Sequence, residues 1–192
     1  MHPIILASSS PRRKEILEKL GIPYTAIPSD YEEEMHLKLS PPRLVMRLAH
    51  GKAKDVAEKN KGIIIGVDTI VVTDRIIGKP VSTVDAENML QEISGKTIRI
   101  YTGIAIINQD TTLTDYEMTQ VKMARIDKPT IKAYVKTGEP QDKAGAFAVQ
   151  GKGALFIEKI NGCYHNVMGL PTFKLESMLQ QIGISIPSFW KK

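Results

Sequence analysis

Residues 63–72 are IIIGVDTIVV, a long apolar run that is rich in β-branched side chains and barely alternates. Such a run is typical of a central strand that is covered on both faces. Asp68 interrupts the run, which continues for four residues beyond it. A buried, unpaired carboxylate is costly, so we expect Asp68 to be hydrogen-bonded, ion-paired or bound to a metal. The alternative is an Asp at the end of a strand, facing solvent or capping a turn.

The N-terminal segment predicts a strand, a short loop and a helix in that order. Ile4–Ala7 is short and apolar, and three consecutive serines follow it. Ser10 suits a helix N-cap, because its hydroxyl can accept a hydrogen bond from a free N–H. Pro11 suits the first helical position, and Gly21 suits the residue at which the helix stops.

The rest of the chain alternates between helical and strand patterns, which favours an α/β fold. Further helices are predicted from Ser40-Pro41, over Thr83–Ile93, over roughly Pro129–Val135 and from Thr172 to about Gln181. Strand pairs are predicted over Ile98–Ile107 with Thr112–Met123, and over Ala154–Ile160 with Cys163–Met168 around the turn signal Asn161-Gly162. These hairpins imply a mixed, twisted sheet flanked by helices. The tail SIPSFWKK, residues 185–192, is expected to be loose.

The composition is that of a globular protein, with 42% hydrophobic and 24% charged residues among 192. This length favours a single domain over residues 1–192, within which two lobes are possible. The formal net charge is +5, which favours anionic partners. Because the sequence contains no block of about five or six like charges, we expect small anions rather than a long nucleic acid.

Cysteine content and hydropathy indicate the compartment. Cys163 is the only cysteine, which excludes an intrachain disulfide framework and a cysteine-based zinc site. A lone cysteine suits a reducing environment. The N-terminus lacks the basic region of a signal peptide, and no stretch approaches the roughly 18 apolar residues of a membrane helix. We expect a cytoplasmic protein with no membrane partner.

Arg12 and Arg13 occupy the first turn of the predicted helix, where the helix dipole disfavours cations. An anion bound there would make both arginines favourable, since the free N–H groups, the dipole and two guanidinium groups would converge on it. Ser8 and the next two serines can add hydroxyl donors. The alternative is two solvated arginines on a surface helix. The segment is neither a P-loop nor a Rossmann fingerprint.

Three further charged residues are candidates, and each has an ordinary alternative. Lys52 lies within the apolar stripe of its helix, although a lysine there can extend its ammonium into water. Lys79 lies between Gly78 and Pro80, and can be a simple loop lysine. Glu33 belongs to an acidic run that would normally be solvated, but a hard metal needs such oxygen ligands.

Two further features carry weaker signals. Residues 142–151 form a glycine-punctuated loop whose small residues allow a ligand to approach the backbone, the alternative being simple loop flexibility. The histidines show no ligand spacing to one another, and His165 is expected to be a core or edge residue of a strand. No G-x-S-x-G motif supports Ser–His–Asp catalysis, which the sequence does not exclude.

An ordered set of short motifs runs along the chain. They are LASSSPRR at 6–13, GVDT at 66–69, GKP at 78–80, SG at 94–95, YTG at 101–103, DKAG through QG over 142–151, and MGLP at 168–171. Each motif alone is weak, but together they span nearly the whole chain in order, and the set resembles the Maf family of nucleoside triphosphate pyrophosphatases. One departure is FAV at 147–149, where the branch acting on dTTP and UTP more usually has Tyr-Gly-Ile.

The resemblance implies a fold, an activity and an assembly. It implies an elongated α/β fold with a cleft between lobes, related to inosine triphosphate pyrophosphatases. It implies cleavage of a nucleoside triphosphate to the monophosphate and pyrophosphate, with a divalent metal cation, Mg²⁺ or Mn²⁺. It also implies a homodimer, which is the usual assembly in the family.

The resemblance also implies roles for individual residues. Asp68 matches the family's catalytic acid. The phosphate and metal cluster is matched by Ser8, Arg13, Glu33, Lys52 and Lys79, with Glu33 and Asp68 as the expected metal ligands. The positions that separate the dTTP and UTP branch are matched by Arg12, Thr69 and Gln150, and the Gln150 amide can both donate to and accept from a pyrimidine ring.

Two other functions stay open from the sequence. A basic nucleic-acid-binding or cell-division regulatory protein would fit the charge of +5, but aromatic residues are only 6% and do not interleave with a basic stripe. A phosphatase that releases orthophosphate is the third possibility, and product identity separates it from a pyrophosphatase.

Overall fold

The computed structural model describes residues 3–33, 38–109 and 111–190. Two histidines, His2 and His36, lie outside the described residues, as do Glu34 of the acidic run that contains Glu33, Asp110 between two predicted strands, and Lys191 and Lys192 of the tail.

Strands and helices alternate along the described residues. The strands are β1 (Ile4–Ala7), β2 (Tyr24–Ala26), β3 (Ile63–Val72), β4 (Ile76–Ile77), β5 (Thr97–Asn108), β6 (Thr111–Met123) and β7 (Ile157–Asn161). The α-helices are α1 (Pro11–Lys19), α2 (Pro41–Ala57), α3 (Thr83–Ile93), α4 (Lys128–Val135), α5 (Tyr164–Met168) and α6 (Thr172–Gln181). Short 3₁₀ helices cover Ala144–Ala146, Lys152–Phe156 and Ile186–Trp190. The predicted α/β class is confirmed.

The described strands form one mixed sheet in the order β2-β1-β3-β5-β6-β7, with β4 paired to β3. β1 is parallel to β2 and to β3, whereas β4 and β7 run antiparallel to their partners. The central position of β3 explains its composition, because nine of its ten residues are buried and only Thr69 is partly exposed. The prediction of a central strand at 63–72 and of a mixed sheet is therefore confirmed.

The chain packs as two compact units, and strands β3, β5 and β6 contribute residues to both. The first unit contains the described residues of Met1–Asp68, Thr102–Glu117 and Gly169–Lys192, and the second contains Thr69–Tyr101 and Met118–Met168. The first has an apolar cluster between α2 and strands β1, β3 and β5. The second has a larger cluster that includes α3, α4 and Phe156. The prediction of a single domain over 1–192 stays a prediction.

Local helix signals predicted most helix boundaries well. α1 begins at Pro11 after Ser10, and Gly21 has a φ of 66°, which a glycine adopts without strain. The predicted start of α2 after Ser40, the bounds of α3 and the bounds of α6 are confirmed. The Ser10 hydroxyl makes no capping bond, so that part of the prediction is wrong. The Ser10 N–H donates to Ser8 Oγ at 3.2 Å.

The predicted hairpin around Asn161-Gly162 is wrong. β7 pairs with β6, and the segment after Gly162 forms helix α5 instead of a strand. The Thr119 hydroxyl accepts a hydrogen bond from the Cys163 N–H at 3.1 Å and donates to its carbonyl, and the buried Asn166 amide donates to Thr119 Oγ1. These long-range bonds replace the local turn. His165 is consequently an exposed helical residue, not a strand residue.

The expectation of a loose tail is wrong for residues 186–190, which form a 3₁₀ helix. The Trp190 Nε1–H donates to the Leu20 carbonyl at 2.6 Å, so the end of α1 holds this segment. Sequence analysis also missed the short strands β2 and β4. Within the described residues, no helix is long and apolar enough to cross a membrane.

Candidate active site

The first unit places Ser8 and Asp68 close to each other, where the pairing of β1 with β3 ends. Ala7 is the last residue of β1 and lies opposite Gly66 of β3, so Ser8 follows β1 while Asp68 lies two residues further along β3. The Ser8 N–H donates to Leu6 O at 2.9 Å, which turns the chain out of the sheet towards α1. Helix α1 therefore begins beside Asp68, as expected for a ligand site at the carboxyl ends of parallel strands.

Two glycines allow helix α2 to pack directly on the sheet. A Cβ at Gly66 would lie 2.7 Å from the Ala53 nitrogen and would overlap the Ala49 carbonyl. A Cβ at Gly103 would overlap the Val45 carbonyl in the same way. Because alternate residues of a strand face the same side, Gly66 and Asp68 both face α2.

Lys52 of α2 is held between two carboxylates. Its Nζ lies 2.5 Å from Asp68 Oδ1 and 2.7 Å from Glu33 Oε1. The Asp68 side chain is only 9% exposed, so its charge needs this partner. The expectation that Asp68 is paired is confirmed, and the alternatives of a solvent-facing Asp68 and of an ammonium extended into water are both wrong.

Glu33 reaches Lys52 because α2 also anchors the preceding loop. Asp55 Oδ2 accepts hydrogen bonds from Ser29 Oγ at 2.9 Å and from the Asp30 N–H at 2.8 Å. The Asp30 N–H and then the Ser29 hydroxyl lower the pKa of Asp55 below its ordinary value. A Cβ at Gly51 would overlap the Tyr31 ring, so the loop lies close against the helix.

Arg13 is fixed at the N-terminal end of α1. Its Nε donates to the Gly169 carbonyl at 3.0 Å, and its Nη1 donates to Ser8 Oγ at 3.0 Å. Burial lowers the pKa of Arg13 to about 10; the negative charge of Asp68 opposes this, and Arg12 adds to it. Arg13 therefore stays charged at neutral pH while it is partly withdrawn from water.

The first unit thus brings six predicted site residues into one cluster of three cations, two carboxylates and one hydroxyl. They are Ser8, Arg12, Arg13, Glu33, Lys52 and Asp68. Two of the cations lie in the first turn of α1, where the helix N-terminus adds partial positive charge. This arrangement favours a multiply charged anion.

The two carboxylates fit a small, hard divalent cation. Asp68 and Glu33 already direct oxygen atoms to one positive centre, the Lys52 ammonium. Among the described residues, no group of three or more His, Cys, Asp or Glu side chains could hold a metal ion. Two oxygen ligands suit Mg²⁺, which usually takes one or two carboxylates and completes its coordination with substrate phosphates and water.

The remaining predicted residues belong to the second unit. Thr69 follows Asp68 on β3 and is partly buried, with its side chain on the opposite face of the strand. Lys79 and Gln150 are both exposed, and both lie outside the helices and strands. The Gly145 N–H donates to the Gly78 carbonyl at 3.0 Å, which joins the two segments that carry them.

Sequence analysis missed the residues that hold these segments in place. Asp55 orients the loop of Glu33, Gly169 accepts from Arg13, and Glu139 binds the chain on the carboxyl side of Gln150. Gly169 was part of a recognised motif but had no assigned role. An Asp on a helix next to a loop gives no distinct local pattern, so the sequence held no signal for Asp55.

Comparison with known proteins identifies the family to which the chain is similar. The family model described as Maf-like protein matches residues 3–182. A protein from Bacillus cereus (strain AH820) is 48% identical over 97% of this chain and 98% of its own length, and is named dTTP/UTP pyrophosphatase. A protein of the same name from Ruminiclostridium cellulolyticum is 47% identical over 97% of this chain and 99% of its own.

A solved structure shows the same fold at low sequence identity. The HAM1 protein from Coxiella burnetii covers 94% of this chain and 100% of its own, with a TM-score of 0.52 and 16% identity. The motifs, the cluster around Asp68 and the full-length match lead to one conclusion: the chain belongs to the Maf family.

Proposed function

We propose that this protein is a nucleoside triphosphate pyrophosphatase that hydrolyses dTTP and UTP to the monophosphate and pyrophosphate. The observation that carries the proposal is the buried Lys52–Asp68 pair beside Arg13, at the N-terminal end of α1. Relatives that are 47–48% identical over almost their whole length bear the name of this activity.

The cations serve to bind the polyphosphate. A nucleoside triphosphate carries about four negative charges, and Arg12, Arg13 and Lys52 provide positive charge around Asp68. Ser8 supplies a hydroxyl, and the first turn of α1 supplies free N–H groups. Because these groups are fixed before substrate binds, they favour the charge that develops on the phosphates in the transition state.

Asp68 is assigned the catalytic role. Lys52 contacts its Oδ1, so we assign Oδ2 to accept a proton from the attacking water. In-line attack at the α-phosphorus forms one P–O bond and breaks the bond to the β-phosphate, and pyrophosphate leaves. The charge on the leaving group is balanced by Arg13. Lys79 keeps the phosphate-binding role that the family resemblance implies.

A divalent cation, Mg²⁺ or Mn²⁺, held by Asp68 and Glu33 would supply Lewis acidity at the phosphate and a more acidic water. Lys52 contacts both of these carboxylates, so its ammonium would compete with an ion held there. We assign Lys52 to bind a phosphate oxygen of the substrate.

Base selection is assigned to Arg12, Thr69 and Gln150. Gln150 is the best suited of the three, because its amide is exposed and can both donate and accept. A uracil or thymine edge offers one acceptor and one donor in adjacent positions, which matches an amide. Because the relatives are named for dTTP and UTP, we expect purine triphosphates to be poorer substrates.

The proposal also includes assembly and compartment. A homodimer is supported by the family resemblance. A cytoplasmic location is supported by the lone, free Cys163. Sedimentation at micromolar concentration would separate monomer from dimer.

A nucleotide panel tests the function. The protein is incubated with dTTP, UTP, CTP, ATP and GTP, with Mg²⁺, with Mn²⁺ and with EDTA, and pyrophosphate and orthophosphate are measured separately. We expect pyrophosphate from dTTP and UTP, and loss of turnover in EDTA. Orthophosphate as the first product would make the protein a phosphatase instead. Salt-sensitive retention on DNA without turnover would favour a binding protein.

A further inference from the structure

In the second unit, the Glu139 carboxylate binds the chain just beyond Gln150. Its Oε1 accepts a hydrogen bond from the Gly153 N–H at 3.0 Å, and its Oε2 accepts one from the Lys152 N–H at 3.1 Å. Its Oε1 also accepts from the Tyr134 hydroxyl at 2.9 Å. One side chain therefore restrains two successive main-chain groups.

Tyr134 restrains the same segment on the other side of Gln150. Its hydroxyl oxygen accepts a hydrogen bond from the Ala148 N–H at 3.1 Å. The Tyr134 ring is buried and packs edge-to-face on Phe156, with ring centroids 4.9 Å apart. Residues 148–153, which we name the Gln150 turn, are thus held at both ends by a pair of contacting side chains.

Two glycines make this approach possible. A Cβ at Gly151 would lie 2.5 Å from both carboxylate oxygens of Glu139, and a Cβ at Gly153 would lie 2.7 Å from the Tyr134 hydroxyl. Either methyl group would force the turn away from the two side chains. The glycines of this loop therefore serve contacts within the protein as well as any contact with a ligand.

The charges of the pair suit this arrangement. Burial acts to raise the pKa of Glu139, but the N–H groups of Gly153 and Lys152 and the Tyr134 hydroxyl outweigh it and lower the pKa below its ordinary value. Burial, followed by the nearby Glu139 carboxylate, raises the pKa of Tyr134. At neutral pH Glu139 is an acceptor and Tyr134 carries its proton, which is the state that the bonds require.

Base selection by Gln150 needs such a restraint. Residues 147–149 are buried, whereas Gln150 is exposed, so only the Gln150 side chain of this stretch is available to a base. Uracil presents a carbonyl acceptor where cytosine presents an amino donor. A glutamine amide that moves freely can satisfy either base by turning over, because it carries both a donor and an acceptor. A fixed turn sets the main-chain position from which the Gln150 side chain extends, so it limits the positions and orientations in which the amide can meet the base.

We propose that Glu139 is a positioning residue for nucleobase selection, acting with Tyr134 to fix the Gln150 turn so that the protein prefers uracil to cytosine nucleotides. This inference rests on the proposed function, and specifically on the role of Gln150. It assigns no chemical step to Glu139.

The test compares kcat/KM for UTP and CTP in wild type, Glu139→Gln and Tyr134→Phe. We expect the ratio of UTP to CTP to fall about tenfold or more in Glu139→Gln, since a displaced polar group loses discrimination of this order. Tyr134→Phe should lower the ratio less, because it keeps both main-chain bonds to Glu139. The expected loss lies in a higher KM for UTP and a lower KM for CTP, with kcat for UTP little changed.

Two controls separate positioning from general damage. Glu92→Gln makes the same chemical change in a carboxylate that binds Thr73 and Arg75, away from the Gln150 turn in sequence, and should leave the ratio unchanged. In a Gln150→Ala background, Glu139→Gln should have no further effect on the ratio, because the group through which it acts is gone.

The outcomes distinguish the two proposals. If wild type turns over neither dTTP nor UTP, the proposed function fails. If wild type is active and Glu139→Gln lowers kcat for both nucleotides equally at an unchanged ratio, the role is merely structural and the inference is overturned. A further fall of the ratio in the Gln150→Ala background would also overturn it. If Glu139→Gln does not fold, Tyr134→Phe decides in its place by the same criteria.

Discussion

The two units hold their candidate residues by different means. In the first unit, the Lys52 side chain contacts both Asp68 and Glu33. The Lys52–Asp68 contact follows from a helix packed on a strand. In the second unit, Gln150 lies on an irregular segment, and Glu139 and Tyr134 bind that segment's main chain. Charges are paired directly in one case, and a turn is restrained in the other.

This difference matches what each region is proposed to do. Groups that bind phosphate and activate water must keep a fixed spacing, which rigid elements provide. A residue that reads the substrate's base benefits from an exposed loop, which can differ between branches of a family without disturbing the sheet. Substitutions in the cluster around Asp68 should therefore lower kcat. Substitutions that release the Gln150 turn should instead change the preference between nucleotides.

The largest expected effect is loss of turnover in Asp68→Asn. An amide keeps the shape of the carboxylate but neither accepts a proton nor binds Lys52 as an ion pair, so kcat should fall about 10²–10⁴-fold. The measurement is pyrophosphate release from UTP. Asp115→Asn is the matched control, because Asp115 also pairs with a lysine, Lys174, at 2.8 Å. Normal turnover by Asp68→Asn would contradict the catalytic role assigned to Asp68.

Gly66→Ala tests the packing on which the first cluster depends. The new methyl group overlaps the backbone of α2, so the helix must shift from β3 and carry Lys52 with it. We expect a loss of about 1–3 kcal/mol in the free energy of unfolding, as for other overpacked sites, together with reduced kcat. Urea unfolding provides the measurement. In Gly78→Ala, where the structure offers an added Cβ open space, the unfolding midpoint should not move.

Asp55→Asn tests the loop that carries Glu33. Asparagine accepts less strongly than a carboxylate, so the bonds to Ser29 and Asp30 weaken and Glu33 loses its fixed position. We expect kcat/KM to fall on the order of tenfold, less than the ~10²-fold that a 1 Å misplacement of a catalytic group can cost. Lys59→Ala removes only an exposed ion pair to Asp55 at 3.6 Å, and should be neutral. Equal effects of the two substitutions would contradict this role of the loop.

The smallest expected effect concerns acid stability of the second unit. The pKa of Glu139 is lower in the folded than in the unfolded state, so its contribution to stability is present above an unfolded pKa of about 4.3 and is lost as the pH falls through the folded value. Glu139→Gln lacks this contribution at every pH. Its free energy of unfolding should therefore fall less than that of wild type between about pH 6 and pH 3. Identical pH dependence in the two proteins would rule out the lowered pKa.

Much of the fold could be predicted because its signals are local. A β-branched run identified β3, and Ser-Pro pairs marked the starts of α1 and α2 within a residue. The prediction failed at α5, where Asn161-Gly162 suggested a hairpin. There Thr119 and Asn166 make bonds that join residues 44 to 47 positions apart, and those bonds outweigh the local preference.

The candidate site divides in the same way. Asp68 could be identified from the sequence because a carboxylate in an apolar strand requires a partner. Lys52 could be identified because it interrupts an apolar helical stripe. That each is the other's partner depends on α2 packing against β3 through Gly66. The roles of Glu33, Lys79, Thr69 and Gln150 came from the family resemblance, not from their surroundings in the sequence.

The sequence alone determined the types of the longer elements, most helix ends and the residue types that suit a polyphosphate, because these depend on neighbours within a few positions. Only the tertiary structure determined which charges meet. Arg13 donates to a carbonyl 156 residues away, and Glu139 accepts from N–H groups 13 and 14 residues away. Hydrogen bonds and ion pairs act over about 3 Å, and sequence distance does not reveal which groups the packed chain brings within that range.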